Sequence, residues 1–125
     1  MKNGKHVILC VDDDRDILES LKAVLEANNY VVVASQTAEE GFKKFQSDQP
    51  DLIIVDLMME EVDAGTTLVT RLKAAGNAAP MFMLSSVGEQ LGRTLDPAQL
   101  GLTGVFQKPI DFTALIATLK AQLKK

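Results

Sequence analysis

The sequence predicts an α/β protein of the (βα)5 type, with a doubly wound, five-stranded parallel sheet and helices on both faces. Five short apolar runs alternate with segments whose apolar residues recur at helical spacing. The first of these runs, at residues 5–11, is apolar without alternation, which is typical of a strand covered on both sides. Strands that alternate with helices in this way favour a parallel sheet with right-handed crossovers.

The first predicted strand leads directly into a helix. Asp14 can cap this helix, because aspartate is favoured at the N-cap position. The apolar residues that follow share one helical face: Ile17, Leu18, Leu21, Val24 and Leu25. The pair Asn28–Asn29 ends the helix, and the β-branched run at residues 30–34 is predicted to be the second strand.

The second helix and the third strand follow the same pattern. Thr37 and Glu40 have the spacing of a capping box, and Phe42 and Phe45 supply a buried side for the helix after it. A short turn then leads to the third strand, which is predicted at residues 52–55.

The rest of the chain continues the alternation. Beyond a loop, a third helix that ends near residue 75 carries three apolar residues on one face: Leu68, Val69 and Leu72. The fourth and fifth strands are predicted at residues 81–84 and 104–107, and Asp111 can cap the last helix.

The connection between the last two strands predicts a short or irregular fourth helix. Gly88, Gly92, Gly101 and the pair Asp96–Pro97 interrupt this region. A proline inside a helix loses a backbone hydrogen bond and clashes with the preceding turn. We therefore expect a short helix at residues 89–95 that breaks before the proline.

The composition fits one compact domain. The chain has 125 residues, of which 46% are hydrophobic, so we expect a single domain over residues 1–125 without an effector domain. Its net charge of −4 supplies no basic stripe and argues against direct nucleic-acid binding. No apolar run is long enough for membrane insertion. The single cysteine, Cys10, fits a reducing compartment, and we expect a cytoplasmic protein.

Polar residues stand at the ends of four predicted strands. Asp12 and Asp13 follow the first strand, Asp56 the third, Ser85 the fourth and Lys108 the fifth. In open α/β sheets ligands bind beyond the carboxyl ends of the strands, so we expect these side chains to converge. Taken alone, the acidic run could simply cap a helix. Three carboxylates that meet, however, repel each other unless cations share the space.

This cluster predicts a magnesium site with phosphoryl chemistry. Mg²⁺ prefers carboxylates, a carbonyl, waters and often a phosphate. A carboxylate beside the ion could act as a nucleophile and form an aspartyl phosphate. The ion and Lys108 would neutralise charge on the transferring oxygens, and Ser85 would donate a hydrogen bond to one of them.

The motifs that carry these residues resemble those of the receiver domain of two-component response regulators. They are VDDD after the first strand, IIVDLMM around Asp56, Ser85 after MFML, and GVFQKP around Lys108. The resemblance covers essentially the whole chain, in order and spacing. It implies a flavodoxin-like sheet with the strand order 2-1-3-4-5.

The resemblance also implies roles for individual residues. Asp56 would be the phosphoacceptor, Asp13 a direct ligand of Mg²⁺ or Mn²⁺, and Asp12 a ligand through water, while the backbone carbonyl of Met58 would complete the coordination by the protein. Lys108 would contact the phosphoryl group. The Ser85 hydroxyl would move toward the phosphoryl group, and Pro109, after a cis bond, would set the following loop.

For the protein as a whole, the resemblance implies a signalling module. Its phosphodonor would be a sensor histidine kinase or a phosphotransfer protein, and it would signal to a downstream protein or effector domain. It would catalyse only its own phosphorylation and dephosphorylation.

One position departs from the family pattern. Receiver domains usually carry tyrosine or phenylalanine three residues before the lysine, and here Val105 stands there. Phe106 is one residue later, and the period of two in a strand points it to the opposite face. We therefore expect Phe106 to be a core residue and the usual switch aromatic to be missing.

Three other functions fit the sequence less well. An enzyme that hydrolyses phosphate esters through an aspartyl phosphate usually needs a carboxylate two residues after the nucleophile, where this chain has Met58. A flavodoxin-like cofactor binder would need a glycine- and hydroxyl-rich loop after the first strand. A pseudo-receiver that only binds proteins stays open because of Val105.

Overall fold

The computed structural model of the chain describes residues 4–56, 64–86 and 101–123. Its strands are β1 (Val7–Val11), β2 (Val31–Ser35), β3 (Leu52–Asp56), β4 (Met81–Ser86) and β5 (Gly104–Lys108). The described helices are α1 (Arg15–Ala27), α2 (Ala38–Asp48), α3 (Ala64–Ala74) and α4 (Phe112–Gln122). The strands form one parallel sheet in the order β2-β1-β3-β4-β5, which confirms the expected topology.

The sheet separates two apolar layers. Helices α2 and α3 pack on one face of the sheet. The buried residues of this layer, from both helix and sheet, are Leu9, Val11, Ile53, Val55, Leu68, Val69, Leu72, Met81, Met83 and Leu102. Helices α1 and α4 cover the other face. The buried residues of this second layer, again from both helix and sheet, are Ile8, Cys10, Leu18, Leu21, Leu25, Tyr30, Leu52, Ile54, Phe82, Leu84, Leu115 and Leu119. Strands β1 and β3 are buried along their whole length, as their apolar runs predict.

The last three strands extend further than the sequence predicts. Strand β3 includes Asp56, β4 includes Ser85 and Ser86, and β5 includes Lys108. The sheet ladder continues to these residues, since Asp56 pairs with Leu84 and Ser86 with Lys108. The polar residues at the tips of β3, β4 and β5 therefore stand in regular strand, where backbone pairing fixes their positions.

The three predicted helix caps are confirmed. The side chains of Asp14, Thr37 and Asp111 each accept a hydrogen bond from a backbone N–H in the first turn of the following helix. The second half of the capping box in α2 is shifted by one residue. The Glu40 carboxylate accepts from the backbone N–H of Gln36, one residue before the cap, at 3.3 Å.

Two predictions fall outside the part of the chain that the structure describes. The short helix expected at residues 89–95 is one, and most of the loop after Asp56 is the other. None of the described helices has the length and hydrophobicity that a membrane span requires.

Candidate functional site

Three carboxylates meet at the carboxyl edge of the sheet. Asp12 follows β1 directly and Asp56 is the last residue of β3, so the neighbouring strands bring them side by side. Asp12, Asp13 and Asp56 each offer one carboxylate oxygen, and these oxygens lie within 4.8 Å of one another. Asp12 and Asp56 are buried, whereas Asp13 is exposed. The cluster can therefore be reached from solvent on the Asp13 side.

Lys108 joins two of these carboxylates. Its Nζ lies 3.2 Å from Oδ2 of Asp12 and 3.2 Å from Oδ1 of Asp56. The lysine is the last residue of the edge strand β5, and its side chain reaches across the end of β4 to the acidic cluster. Only 19% of this side chain is exposed, so the ion pairs are largely removed from water. Screening by solvent is accordingly weak.

Asp12 is held by contacts on both sides. Its backbone N–H donates to the carbonyl of Ser35 at 3.1 Å, and its Oδ1 accepts from the backbone N–H of Asp14 at 2.8 Å. Among the buried side-chain nitrogens and oxygens of the described residues, Oδ2 of Asp12 is the atom without a hydrogen bond. Its neighbour is the Lys108 ammonium, whose Nζ lies 3.2 Å away in an ion pair. A buried carboxylate oxygen such as this one is a suitable ligand for a hard cation.

The charges in the cluster do not balance without a further cation. The pKa of Asp56 is raised to about 6, mainly by burial and further by the charge of Asp12, and Lys108 offsets only part of these effects. Burial likewise raises the pKa of Asp12. For Lys108, burial lowers the pKa, but the two carboxylates outweigh it and the net pKa lies above its ordinary value. One ammonium group faces three carboxylates, and this donor set fits Mg²⁺.

The remaining predicted site residues lie at the same edge or outside the described residues. Ser85 is buried in β4 and stands in register with Gln107. The Lys108–Pro109 peptide bond is cis, as the resemblance implies. Met58 lies outside the residues that the structure describes.

Val105 and Phe106 point to opposite faces of β5, as expected. Val105 packs against the layer under α2 and α3, and Phe106 packs against the layer under α1 and α4. The ring of Phe106 stacks on that of Phe82, with centroids 5.1 Å apart. Phe106 is only partly buried, because β5 is an edge strand. It is nevertheless a packing residue on the face away from Val105.

Sequence reasoning missed Ser35. This residue is 2% exposed, and its carbonyl accepts from the backbone N–H of Asp12. It is the last residue of β2, one residue beyond the predicted end of that strand. Ligand sites form beyond the carboxyl ends of parallel strands, and this rule would also have indicated Ser35 if β2 had been predicted to end one residue later.

Comparisons with known proteins agree with this geometry. The family of the response regulator receiver domain matches residues 8–120. The response regulator MprA of Mycolicibacterium vanbaalenii is 30% identical over 118 residues, which are 94% of this chain and 50% of MprA. The alkaline phosphatase synthesis transcriptional regulatory protein PhoP of Bacillus subtilis is 31% identical over 118 residues, which are 94% of this chain and 48% of PhoP. The chain thus spans about half the length of the curated relatives it matches.

Solved structures give the same result. The chemotaxis protein CheY4 of Vibrio cholerae has a TM-score of 0.83 at 26% identity, covering 96% of this chain and all of CheY4. A putative response regulator from Chloroflexus aurantiacus has a TM-score of 0.84 at 27% identity, covering 97% of this chain and 99% of that protein. These neighbours confirm the flavodoxin-like fold class. The chain belongs to the receiver domain family of two-component response regulators.

Proposed function

We propose that this receiver domain accepts a phosphoryl group on Asp56 in a Mg²⁺-dependent reaction. The position of the Asp56 carboxylate carries the proposal. It lies 3.2 Å from the Lys108 ammonium and belongs to the group of three acidic side chains that could hold a metal ion. A carboxylate beside a cation site can act as a nucleophile toward phosphorus. The positive charge that the transferred group requires is therefore close at hand.

Oxygen donors of this chain would hold the ion. By resemblance, Asp13, Asp56 and the carbonyl of Met58 bind Mg²⁺ or Mn²⁺ directly, and Asp12 binds it through water. The close approach of three carboxylate oxygens and the burial of Asp12 and Asp56 support this assignment. When bound, the ion neutralises negative charge on the transferring oxygens.

The transfer itself needs positioning more than covalent assistance. An ionised oxygen of Asp56 attacks the phosphorus of the donor, opposite the leaving group. The bond that forms is the O–P bond of an acyl phosphate. The bond between phosphorus and the donor breaks, and the donor keeps the electron pair and takes a proton from solvent. Lys108 would then pair with one phosphoryl oxygen, and the Ser85 hydroxyl would donate to another.

The partners follow from the family. We propose that a sensor histidine kinase or a phosphotransfer protein supplies the phosphoryl group, and that the phosphorylated form signals to a downstream protein or effector domain. The module would catalyse only its own phosphorylation and dephosphorylation.

We also propose that residues 1–125 act as one domain in the cytoplasm, without direct contact with nucleic acid. The net charge of −4 supports the last point. The Bacillus subtilis PhoP is named a transcriptional regulatory protein, and this chain covers 48% of it. In a protein built in that way, gene regulation would need the other half.

Incubation with acetyl phosphate and Mg²⁺, followed by intact-protein mass spectrometry, tests the proposal. We expect one phosphoryl adduct on the wild type, which hydroxylamine removes because acyl phosphates are labile to it. The adduct should be absent with Asp56→Asn and strongly reduced when EDTA replaces Mg²⁺.

A matched control is Asp16→Asn, which removes the same charge from an exposed position in the first turn of α1. It should be phosphorylated like the wild type. An adduct that persists in Asp56→Asn would refute the assignment of the phosphoacceptor. A wild type that binds Mg²⁺ but forms no adduct would favour the pseudo-receiver.

A further inference from the structure

Helix α2 approaches the tip of β1 at a glycine. Gly41 is buried in the first half of α2 and faces Val11, the last residue of β1. A Cβ atom at Gly41 would lie 2.9 Å from Cγ2 and 3.3 Å from Cγ1 of Val11, and 3.4 Å from Cδ2 of Leu68 in α3. The first of these distances is shorter than packed carbon atoms tolerate. Only glycine allows α2 to lie so close to the strand.

Val11 has little freedom to yield. It is 1% exposed, and it pairs with Ser35 of β2 on one side and with Val55 of β3 on the other. Rotation about its χ1 could vacate one of the two methyl positions near Gly41, but a methyl would remain at the other. β-Branched side chains also have few favourable χ1 angles. A side chain at position 41 therefore meets a Val11 methyl closely in either case, and a small shift of β1 or α2 relieves the contact.

Both displacements would move Asp12. A shift of Val11 moves Asp12 directly, because the two are adjacent in the chain. A shift of α2 acts through hydrogen bonds: the Thr37 carbonyl accepts from the backbone N–H of Gly41 at 2.9 Å and from the Ser35 hydroxyl at 2.8 Å. The Ser35 carbonyl in turn accepts from the backbone N–H of Asp12.

We propose that Gly41 is a positioning residue for the acidic cluster, because it sets the distance between α2 and the tip of β1 and thereby the placement of Asp12 and Asp13. The inference rests on the proposed function, since it concerns the carboxylates that would hold the metal ion. Gly41 itself touches neither the ion nor the phosphoryl group. Its effect passes through Val11 and through the Thr37–Ser35 connection.

Titration of the purified protein with Mg²⁺ by calorimetry tests this proposal. Gly41→Ala should raise the Mg²⁺ dissociation constant about three- to tenfold, which is less than the effect of losing a direct partner of a ligand. The substitution favours the helix, so a purely local role would leave Mg²⁺ affinity unchanged. The matched control is Gln46→Ala, an exposed position in the same helix, which should bind Mg²⁺ like the wild type.

A double variant tests whether the distance between α2 and β1 causes this effect on Mg²⁺ affinity. Val11→Ala removes the two methyl groups that face position 41, so Gly41→Ala should have no further effect on Mg²⁺ affinity in that background. The same comparison applies if Gly41→Ala alone fails to fold. The proposal is overturned if Gly41→Ala binds Mg²⁺ as tightly as the wild type, or if the double variant binds more weakly than Val11→Ala or does not fold.

A measurement without metal separates this inference from the proposed function. In metal-free protein, Gly41→Ala should shift the backbone amide resonances of Asp12 and Asp13, and Gln46→Ala should not. If the wild type binds no Mg²⁺, the proposed function fails, and these resonances still decide whether Gly41 positions the cluster. Unchanged resonances would overturn the inference.

Discussion

The backbone N–H of Asp14 donates a hydrogen bond to Oδ1 of Asp12 at 2.8 Å. The residue that caps α1 therefore also holds a carboxylate of the acidic cluster. The Asp14 carboxylate itself caps the helix by accepting from the backbone N–H of Asp16 at 2.9 Å. Three adjacent aspartates thus have three environments: Asp12 is buried beside Lys108, Asp13 is exposed at the cluster, and Asp14 faces the helix end.

Asp14→Ala should separate stability from metal binding. The variant loses the cap but keeps the backbone N–H that binds Asp12. We expect the free energy of unfolding, measured by urea denaturation, to fall by about 1 kcal/mol. Mg²⁺ affinity and phosphorylation by acetyl phosphate should stay close to the wild type.

Two variants serve as controls for this separation of stability from metal binding. Asp111→Ala removes the equivalent cap of α4 and should destabilise to a similar extent. Asp13→Ala should weaken Mg²⁺ binding strongly with little effect on stability, because the side chain is exposed. A folded Asp14→Ala that no longer binds Mg²⁺ would show that its carboxylate belongs to the site.

The sequence pattern predicted the elements and caps well because these depend on local chemistry. Asp14, Thr37 and Asp111 are capping residues with a helical apolar pattern directly after them. The convergence of the polar residues at the strand tips is predictable as well. Alternating strands and helices form a parallel sheet, and the carboxyl ends of its strands meet at one edge.

Contacts between distant elements could not be predicted in this way. The approach of Gly41 to Val11 and the bond from Asp12 to Ser35 depend on how closely two elements pack and on the strand register. Neither leaves a local signal in the sequence. The strand order itself came from the family resemblance, since alternation alone is compatible with several orders.

Ionisation of Asp56 should destabilise the metal-free protein. Folding raises the pKa of this carboxyl from its ordinary 3.8 to about 6, mainly through burial. Between these two values the folded state binds more protons than the unfolded state, so the contribution of Asp56 to the free energy of unfolding falls as the pH rises. The loss levels off once the pH has risen past the folded-state pKa of about 6.

Asp56→Asn should therefore stabilise the protein at neutral pH. We expect it to match the wild type near pH 4 and to exceed it by about 1 to 3 kcal/mol at neutral pH in EDTA. Urea denaturation across this range measures the difference. Saturating Mg²⁺ should stabilise the wild type by binding only its folded state, and should stabilise Asp56→Asn less. A variant less stable than the wild type at neutral pH would contradict the prediction.

Lys108→Ala should destabilise the metal-free protein, because it leaves the two buried carboxylates without their ammonium partner. The expected loss at neutral pH is about 2 to 4 kcal/mol, somewhat less than for breaking a fully buried ion pair, since the lysine is partly exposed. Urea denaturation in EDTA measures this loss. Mg²⁺ should recover part of it, and an unchanged stability would show that the carboxylates are already neutral.

The same variant should separate phosphorylation from signalling. Asp56 and the proposed metal ligands are intact in Lys108→Ala, so acetyl phosphate should still label the protein. Without the ammonium, the phosphoryl group has lost its contact with β5, and the phosphorylation-dependent change in affinity for a downstream partner should be lost. Lys120→Ala, an exposed lysine in the last turn of α4, is the control that should respond like the wild type.

Phe106→Ala tests whether this aromatic residue packs or switches. Its ring stacks on Phe82 at 5.1 Å, on the face of β5 away from Val105. We expect a loss of about 1 to 3 kcal/mol in the free energy of unfolding, less than for a fully buried phenylalanine, because Phe106 is only partly buried. Phosphorylation of Asp56 should continue at the wild-type rate. Aromatic side-chain resonances of the wild type, recorded with and without acetyl phosphate, provide the second measurement. A packing residue keeps its rotamer in both states, whereas a rotamer change on phosphorylation would make Phe106 the switch that Val105 cannot be.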